Sequence, residues 1–294
     1  MTFPSNLDRD AFAGTAELYA IYRPPYPSPM LEDLLARAAV GSRVLLDLAT
    51  GPGRLALALA DRFERITAVD LEPEMIAVGQ ATAKRLRIEN VAFELGRAED
   101  LLVDPESVDL ITIGEAFHRL EQTVVAQNAL RWLRPGGCLA TLGTDGRFIG
   151  DEPWEVRLRE TRGRWLVHLF PGGQGRSLPE AALDEQGRES VLRAAGFVDI
   201  EERRYAERRE LTVEEIVGYL ESTSVCSGRL LGDQLGRFEA EVRRAVAPSP
   251  GTLLTETIHW GYTLARKPEP SGVTTEHPGL EPPDVPLANS RSVM

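Results

Sequence analysis

The apolar run Val44-Leu45-Leu46-Asp47-Leu48 leads directly into the glycine turn Ala49-Thr50-Gly51-Pro52-Gly53, and a second apolar run then closes on another acid, Ile66-Thr67-Ala68-Val69-Asp70. Strand, glycine turn, helix, strand and acid, in that order, make one parallel crossover with a nucleotide pocket at its carboxyl end. Gly51 and Gly53 let the backbone turn sharply and let a ligand come close to it. Asp70 stands where a carboxylate accepts hydrogen bonds from two ribose hydroxyls. It is also placed to cap the helix that Glu72-Pro73-Glu74 begins.

The same grammar continues along the chain. Strands are expected at 43–48, 66–70, 91–95, 108–113 and 137–143, with helices at 54–63, 73–85 and 121–134. Alternation of this kind gives a parallel sheet covered on both faces. Before it, residues 6–40 read as helices interrupted by Tyr22-Arg23-Pro24-Pro25-Tyr26-Pro27, whose prolines force an extended or turn segment. After it the alternation breaks: residues 145–189 read as an irregular or helical insertion with Trp154 and Trp165. A helix at 187–195 ends at Gly196, a sixth strand starts at Phe197, helices follow at 212–222 and 232–246, and 255–265 is a last strand. The charged run Glu201 to Glu210 reads as a solvated, self-paired surface. The proline-rich stretch beyond 267 has no aromatic residue and is expected to be disordered. The expected organisation is a helical cap (1–40), a cofactor core (41–145), a lid insertion (146–190), the rest of the sheet with substrate-side helices (191–267) and a tail (268–294).

Of the 294 residues 43% are hydrophobic, which suits one large domain with an insertion, and the net charge of −12 repels phosphate backbones and argues against a nucleic-acid partner. The two cysteines, Cys138 and Cys226, have no metal spacing, and no acid/histidine cluster does either, so no metal is expected. With no signal-peptide pattern at the start and no apolar stretch long enough for a bilayer, the expected setting is the reducing cytoplasm, with no membrane partner. The sequence is silent on oligomeric state.

Gly51-x-Gly53-x-x-Ala56 also fits a dinucleotide fingerprint. Three features oppose an NAD oxidoreductase: Asp47 where an apolar residue belongs, no Tyr-x-x-x-Lys pair, and a second half that does not repeat the first. Read as an S-adenosylmethionine pocket, each piece has a use. Asp47 reaches the amino-acid end, residues 49–53 pass beneath the methionine portion, and Asp70 binds the ribose. Leu71 and Met75 follow it on the cofactor side. Ala98 and Glu99, in Gly96-Arg97-Ala98-Glu99-Asp100-Leu101, meet the adenine edge. The fourth strand ends in Gly114-Glu115-Ala116-Phe117-His118, near the methyl group.

On these motifs, with Arg134-Pro135-Gly136-Gly137 before the fifth strand and the Tyr22–Pro27 segment at the start, residues 15–267 resemble the class I S-adenosylmethionine-dependent methyltransferases. The likeness is to the small-molecule branch of ubiquinone/menaquinone and trans-aconitate methyltransferases. The resemblance implies a doubly wound, mostly parallel seven-stranded sheet (the Rossmann-like methyltransferase fold) whose last strand is antiparallel, under an N-terminal helical cap and a lid. It implies methyl transfer to an O, N or C atom of a small metabolite, in secondary metabolism. A non-methylating reaction such as cyclisation, on the same fold and cofactor, stays open. Ala49, where the family has glycine, is a mild departure provided its φ is negative, and Arg97 stands where relatives carry an acid.

Among single residues, His118 is the candidate general base, because imidazole titrates near neutrality, though it also suits plain packing. Arg23 is a candidate for the cofactor carboxylate, and Tyr19 and Tyr22 either cover the methionine side or simply pack. Phe117, His118, Trp154 and Trp165 are the candidate acceptor contacts. The acidic surface and aromatic lid favour a neutral or cationic, partly apolar acceptor.

Overall fold

A sheet covered on both faces needs strands that are apolar throughout rather than alternating, and the middle of this chain supplies them. Strands β1 (Val44–Leu48), β2 (Arg65–Asp70), β3 (Val91–Leu95), β4 (Val108–Gly114) and β5 (Leu133–Thr144) run parallel, and β1 and β4 are buried along almost their whole length. β6 (Val198–Leu211) and β7 (Leu254–Arg266) complete a seven-stranded sheet of order β3-β2-β1-β4-β5-β7-β6, with β7 antiparallel to both neighbours. The computed structural model describes residues 11–39, 43–170, 185–247 and 251–270. The tail beyond 270, the first ten residues and part of the insertion lie outside the described residues.

Helices α1 (Ala16–Tyr22) and α2 (Ser28–Ala38) precede the sheet, and α3 (Arg54–Ala58) and α4 (Pro73–Leu86) link its first three strands. One face of the sheet packs Leu45, Ile66, Leu110 and Ala140 against Met30 and Leu34 of α2 and Leu55 of α3. On the other face, Leu46, Ile111, Ile113 and Leu139 meet α5 (Gln122–Trp132) and α7 (Glu185–Ala195) through Val125, Ala129, Trp132 and Leu192. A third cluster joins α6 (Pro153–Leu169), α8 (Val213–Glu221) and α10 (Leu235–Val246), with the short α9 (Gly228–Leu231) beside them, through Trp154, Leu158, Trp165, Ile216, Leu220 and Phe238.

Several boundaries differ from the sequence expectations. The first crossover helix stops at Ala58 and continues as a 3-10 turn at Ala60–Arg62. β5 starts at Leu133 rather than 137, because Arg134-Pro135-Gly136 forms an irregularity between the pairs Val108↔Leu133 and Leu110↔Cys138. Glu201 to Glu210 forms the outer strand β6; it is partly exposed and partly self-paired, Arg203 with Glu201 at 3.0 Å, and it also pairs with other elements, Arg37 with Glu201 at 3.3 Å and Arg204 with Asp145 at 2.9 Å. Charged side chains on an edge strand also deter pairing with a second sheet.

Candidate cofactor and acceptor site

The site lies along the carboxyl ends of β1, β2 and β4, where open parallel sheets leave a crevice. Asp70 ends β2 and turns its carboxylate back on the glycine loop. Its Oδ2 accepts the Gly51 N–H at 2.7 Å and its Oδ1 the Glu72 N–H at 2.9 Å. It therefore fixes the glycine turn and the backbone leading into α4 at once. Burial pushes its pKa up, opposed by those backbone bonds. A carboxylate has about four acceptor positions, so two N–H bonds leave capacity for hydroxyl donors. Gly53 starts α3 at φ +76°, and a Cβ there would stand 2.6 Å from the Phe93 ring. Its glycine thus serves the packing of α3 against β3, and it lines neither chamber.

Ala49 has φ +51°, in the left-handed region, so the condition under which alanine would be a mild replacement fails. Asp47, 1% exposed, sits opposite Thr112 in the β1–β4 register and accepts its hydroxyl at 2.6 Å, with Thr50 Oγ1 on the other oxygen. Burial, against those hydrogen bonds, raises its pKa to about 6. Its carboxylate is occupied by hydroxyls of the loop and of β4, and its wall position is in the inner of two chambers.

The larger chamber, about 1530 Å³, is walled by Ala49, Gly51, Asp70, Leu71, Met75, Ala98, Glu99, Gly114 and Glu115, nine of the expected cofactor residues. Phe12, Tyr19, Arg97 and Arg119 complete it from above, with Arg119 stacked on the Phe12 ring at 4.9 Å. Glu99 accepts the Glu121 N–H at 3.1 Å, and Arg97 stands between Asp100 and Glu121 at 3.3 Å from each.

The inner chamber, about 520 Å³, adjoins it and shares Tyr19, Ala49, Gly114 and Glu115. Glu115 stands at the junction with φ +58°. Burial raises its pKa against Arg23 and two hydrogen bonds from Thr144, while its Oε1 is buried without a partner. Gly114 is glycine because the Tyr26 hydroxyl would lie 2.2 Å from any Cβ. Arg23 lies between the Tyr19 and Tyr219 rings, 4.5 Å from each centroid, and donates to Ser222 Oγ at 3.0 Å and Tyr219 OH at 3.2 Å. Arg54, Arg147, Tyr219 and Trp260 also line this chamber, and the sequence reading had singled out none of them.

These chambers open on a segment shared with known proteins. The family described as methyltransferase domain matches residues 45–137. An uncharacterised methyltransferase of Mycobacterium tuberculosis is 34% identical over 155 residues, 52% of this chain and 59% of that protein. A ubiquinone/menaquinone biosynthesis C-methyltransferase of Rubrivivax gelatinosus is 37% identical over 169 residues, 53% of this chain and 63% of its own length. The chain thus spans about three fifths of the curated relatives it matches. A solved type II methyltransferase of Anaeromyxobacter dehalogenans, provisionally named as such, shares the fold at TM-score 0.60 and 22% identity, over 84% of this chain and 99% of that one.

Within the matched residues 45–137, two expected acceptor contacts fall elsewhere. Phe117 is buried in the second core cluster, among Ala116, Val125 and Leu192, and lines neither chamber. His118 faces solvent on the turn Phe117–Arg119, outside both chamber walls. The protein around its ring desolvates it, and with Arg119 and Arg188 nearby its pKa falls to about 4. Outside the domain, Trp154 and Trp165 fill the lid core, Trp165 donating to Glu241 at 3.0 Å. Tyr22 packs its ring on Gly218 of α8 and joins α1 to the lid instead of lining a chamber. All four aromatic side chains follow one physical rule: a large apolar ring on an amphipathic element is buried by its neighbours before it is offered to a ligand. No group of three or more possible metal-binding side chains occurs among the described residues. No described helix is long and apolar enough to cross a membrane.

Proposed function

We propose that the chain is an S-adenosylmethionine-dependent methyltransferase whose acceptor is a small molecule. The observation that carries this reading is Asp70: a half-buried carboxylate at the end of β2 that holds the glycine turn and faces the larger chamber. In the proposed arrangement Asp70 takes the ribose hydroxyls, Leu71 and Met75 flank the sugar and base, and Ala98 and Glu99 meet the adenine edge. The unpartnered Oε1 of Glu115 fits an ammonium donor, which places the methionine end at the junction of the chambers. S-adenosylmethionine supplies an activated methyl carbon. The chain's work is then to hold the nucleophile in line with it and to keep water out. The inner chamber is the acceptor site in this reading. With His118 outside its walls, the only acids and bases lining it are Asp47, Glu115, tyrosines and arginines. A small-molecule acceptor is supported by the small size of that chamber and by the net charge of −12, which repels nucleic acid.

The test is calorimetric titration of the whole chain with S-adenosylhomocysteine, with NAD as comparison, on the native protein and on Asp70→Asn. The substitution keeps the size of the side chain but loses the charge on its hydrogen bonds, each worth about 1.5–3 kcal/mol. The expected result is binding in the micromolar range that weakens about 10- to 100-fold in the variant, by that same energy. A preference for NAD, or no change in the variant, would sink the proposal.

A further inference from the structure

The inner chamber holds a guanidinium with a free donor. Arg147, in the loop after β5, has a side chain only 4% exposed. Glu256 of β7 takes one edge of it, at 2.7 Å from Nε and 2.5 Å from Nη2. Phe148 and Tyr219 stack on its plane, 4.7 and 4.4 Å from the ring centroids. Nη1 remains buried with no hydrogen-bond partner. A buried N–H left unmade costs about 1–3 kcal/mol, more on a charged group, so natural sites keep one for something that arrives. Arg147 is a wall residue of the inner chamber, and what arrives must present an acceptor oxygen to it.

The surroundings favour a charged oxygen. Arg23 and Arg54 line the same chamber, and their hydrogen bonds go to uncharged groups: Ser222 and Tyr219 for Arg23, the carbonyls of Arg23 and Pro24 for Arg54. Two acids share the wall: Glu115 stands at the mouth shared with the larger chamber, and both oxygens of Asp47 are already taken by the hydroxyls of Thr50 and Thr112. Charge-assisted bonds to guanidinium are about twice as strong as neutral ones. The remaining walls are aromatic, with Tyr26 against Trp260 at 5.4 Å between centroids.

We propose that the inner chamber takes an organic acid as the methyl acceptor, its carboxylate held by Arg147 Nη1 and its carbon frame lying against Tyr26, Tyr219 and Trp260. This rests on the methyltransferase reading above for the word acceptor, but the carboxylate site itself does not need the cofactor. It reverses the sequence expectation of a neutral or cationic acceptor: the outer surface is acidic, while the chamber is lined by guanidinium groups.

Benzoate and its isostere benzamide are the probes, titrated into the whole chain with and without saturating S-adenosylhomocysteine. Tryptophan fluorescence is the signal, and Trp260→Phe verifies its source. Benzoate should bind at least 10-fold more tightly than benzamide. Arg147→Lys, which keeps a cation beside Glu256 but loses the Nη1 donor, should reduce that ratio several-fold. The paired replacement Arg147→Met with Glu256→Met, which leaves no buried charge alone, should bring it to about 1 while the affinity for S-adenosylhomocysteine stays within about 2-fold. Equal binding of acid and amide, no binding of benzoate, or a ratio that survives in folded variants overturns the proposal. So does loss of S-adenosylhomocysteine binding in the variants, which would give Arg147 to the cofactor. Failure of the native chain to bind S-adenosylhomocysteine while benzoate is still preferred would instead overturn the methyltransferase reading and leave the carboxylate site standing.

Discussion

Ala49, at φ +51°, stores backbone strain at the point where β1 gives way to the glycine turn. The left-handed conformation costs an L-residue about 1–2 kcal/mol, partly offset because glycine loses more freedom on folding. Ala49→Gly is therefore expected to raise unfolding stability by about 0.5–1 kcal/mol, read from the urea midpoint at constant slope. A lower midpoint would mean that the alanine methyl contributes packing that outweighs the strain. Glu115, at φ +58°, is a second non-glycine residue in this region, on the other side of the cofactor crevice. Two strained residues facing one chamber are consistent with backbone placed for a ligand. Asp47 belongs to the same scale: buried and bonded to Thr50 and Thr112, it holds the loop in shape, and burial raises its pKa against those hydrogen bonds.

The lid elements are joined to the sheet by a few contacts between specific helices. α8 is capped by Thr212, which accepts the Glu215 N–H at 3.2 Å while Glu215 Oε2 accepts the Thr212 N–H at 2.8 Å. Gly218 of α8 lets the Tyr22 ring lie on the helix, and Arg23 binds its last turn through Ser222 and Tyr219. Where α8 meets α10, Glu221 faces Glu239; burial and that second carboxylate raise the Glu221 pKa to about 7. The native state therefore holds this proton more tightly than the unfolded chain. The stabilisation is complete below the unfolded value, about 4.3, and is lost as pH rises through about 7. Glu221→Gln should consequently be close to native stability at pH 5 and more stable by about 1 kcal/mol at pH 8, a figure reduced for the solvent that reaches the pair. Urea unfolding at the two pH values checks it, and equal differences at both would remove the shared proton from the account of this contact.

At the scale of the molecule, one buried ion pair ties the loop after β5 to β7. Glu256, on β7, also accepts the Phe148 N–H at 3.0 Å, so it fixes the loop that carries Arg147. Glu256→Ala should cost about 3–5 kcal/mol, because it leaves a buried guanidinium alone, and the loss should respond little to added salt. A cost below about 1 kcal/mol in urea unfolding would show that water reaches Arg147 and that the chamber is not sealed there. Most of the sheet and the cofactor side of the site were legible in the sequence. The runs at 44–48 and 66–70, the glycine turn and both acids lie within one crossover, where hydrophobic run length and turn chemistry report the structure directly. The inner chamber was not legible. Its walls come from residues as distant as Tyr19, Gly114, Arg147, Tyr219 and Trp260, and each one taken alone looks like a turn, core or surface residue. Periodicity says which face of an element is buried but not which distant element buries it. That is why Phe117, Trp154 and Trp165, credible as acceptor contacts in the sequence, are core, while Arg147 and Trp260 form the wall. The sequence by itself determined the strand-turn-acid frame; only the packing of the lid helices, β5 and β7 around that frame decided what lines the inner chamber.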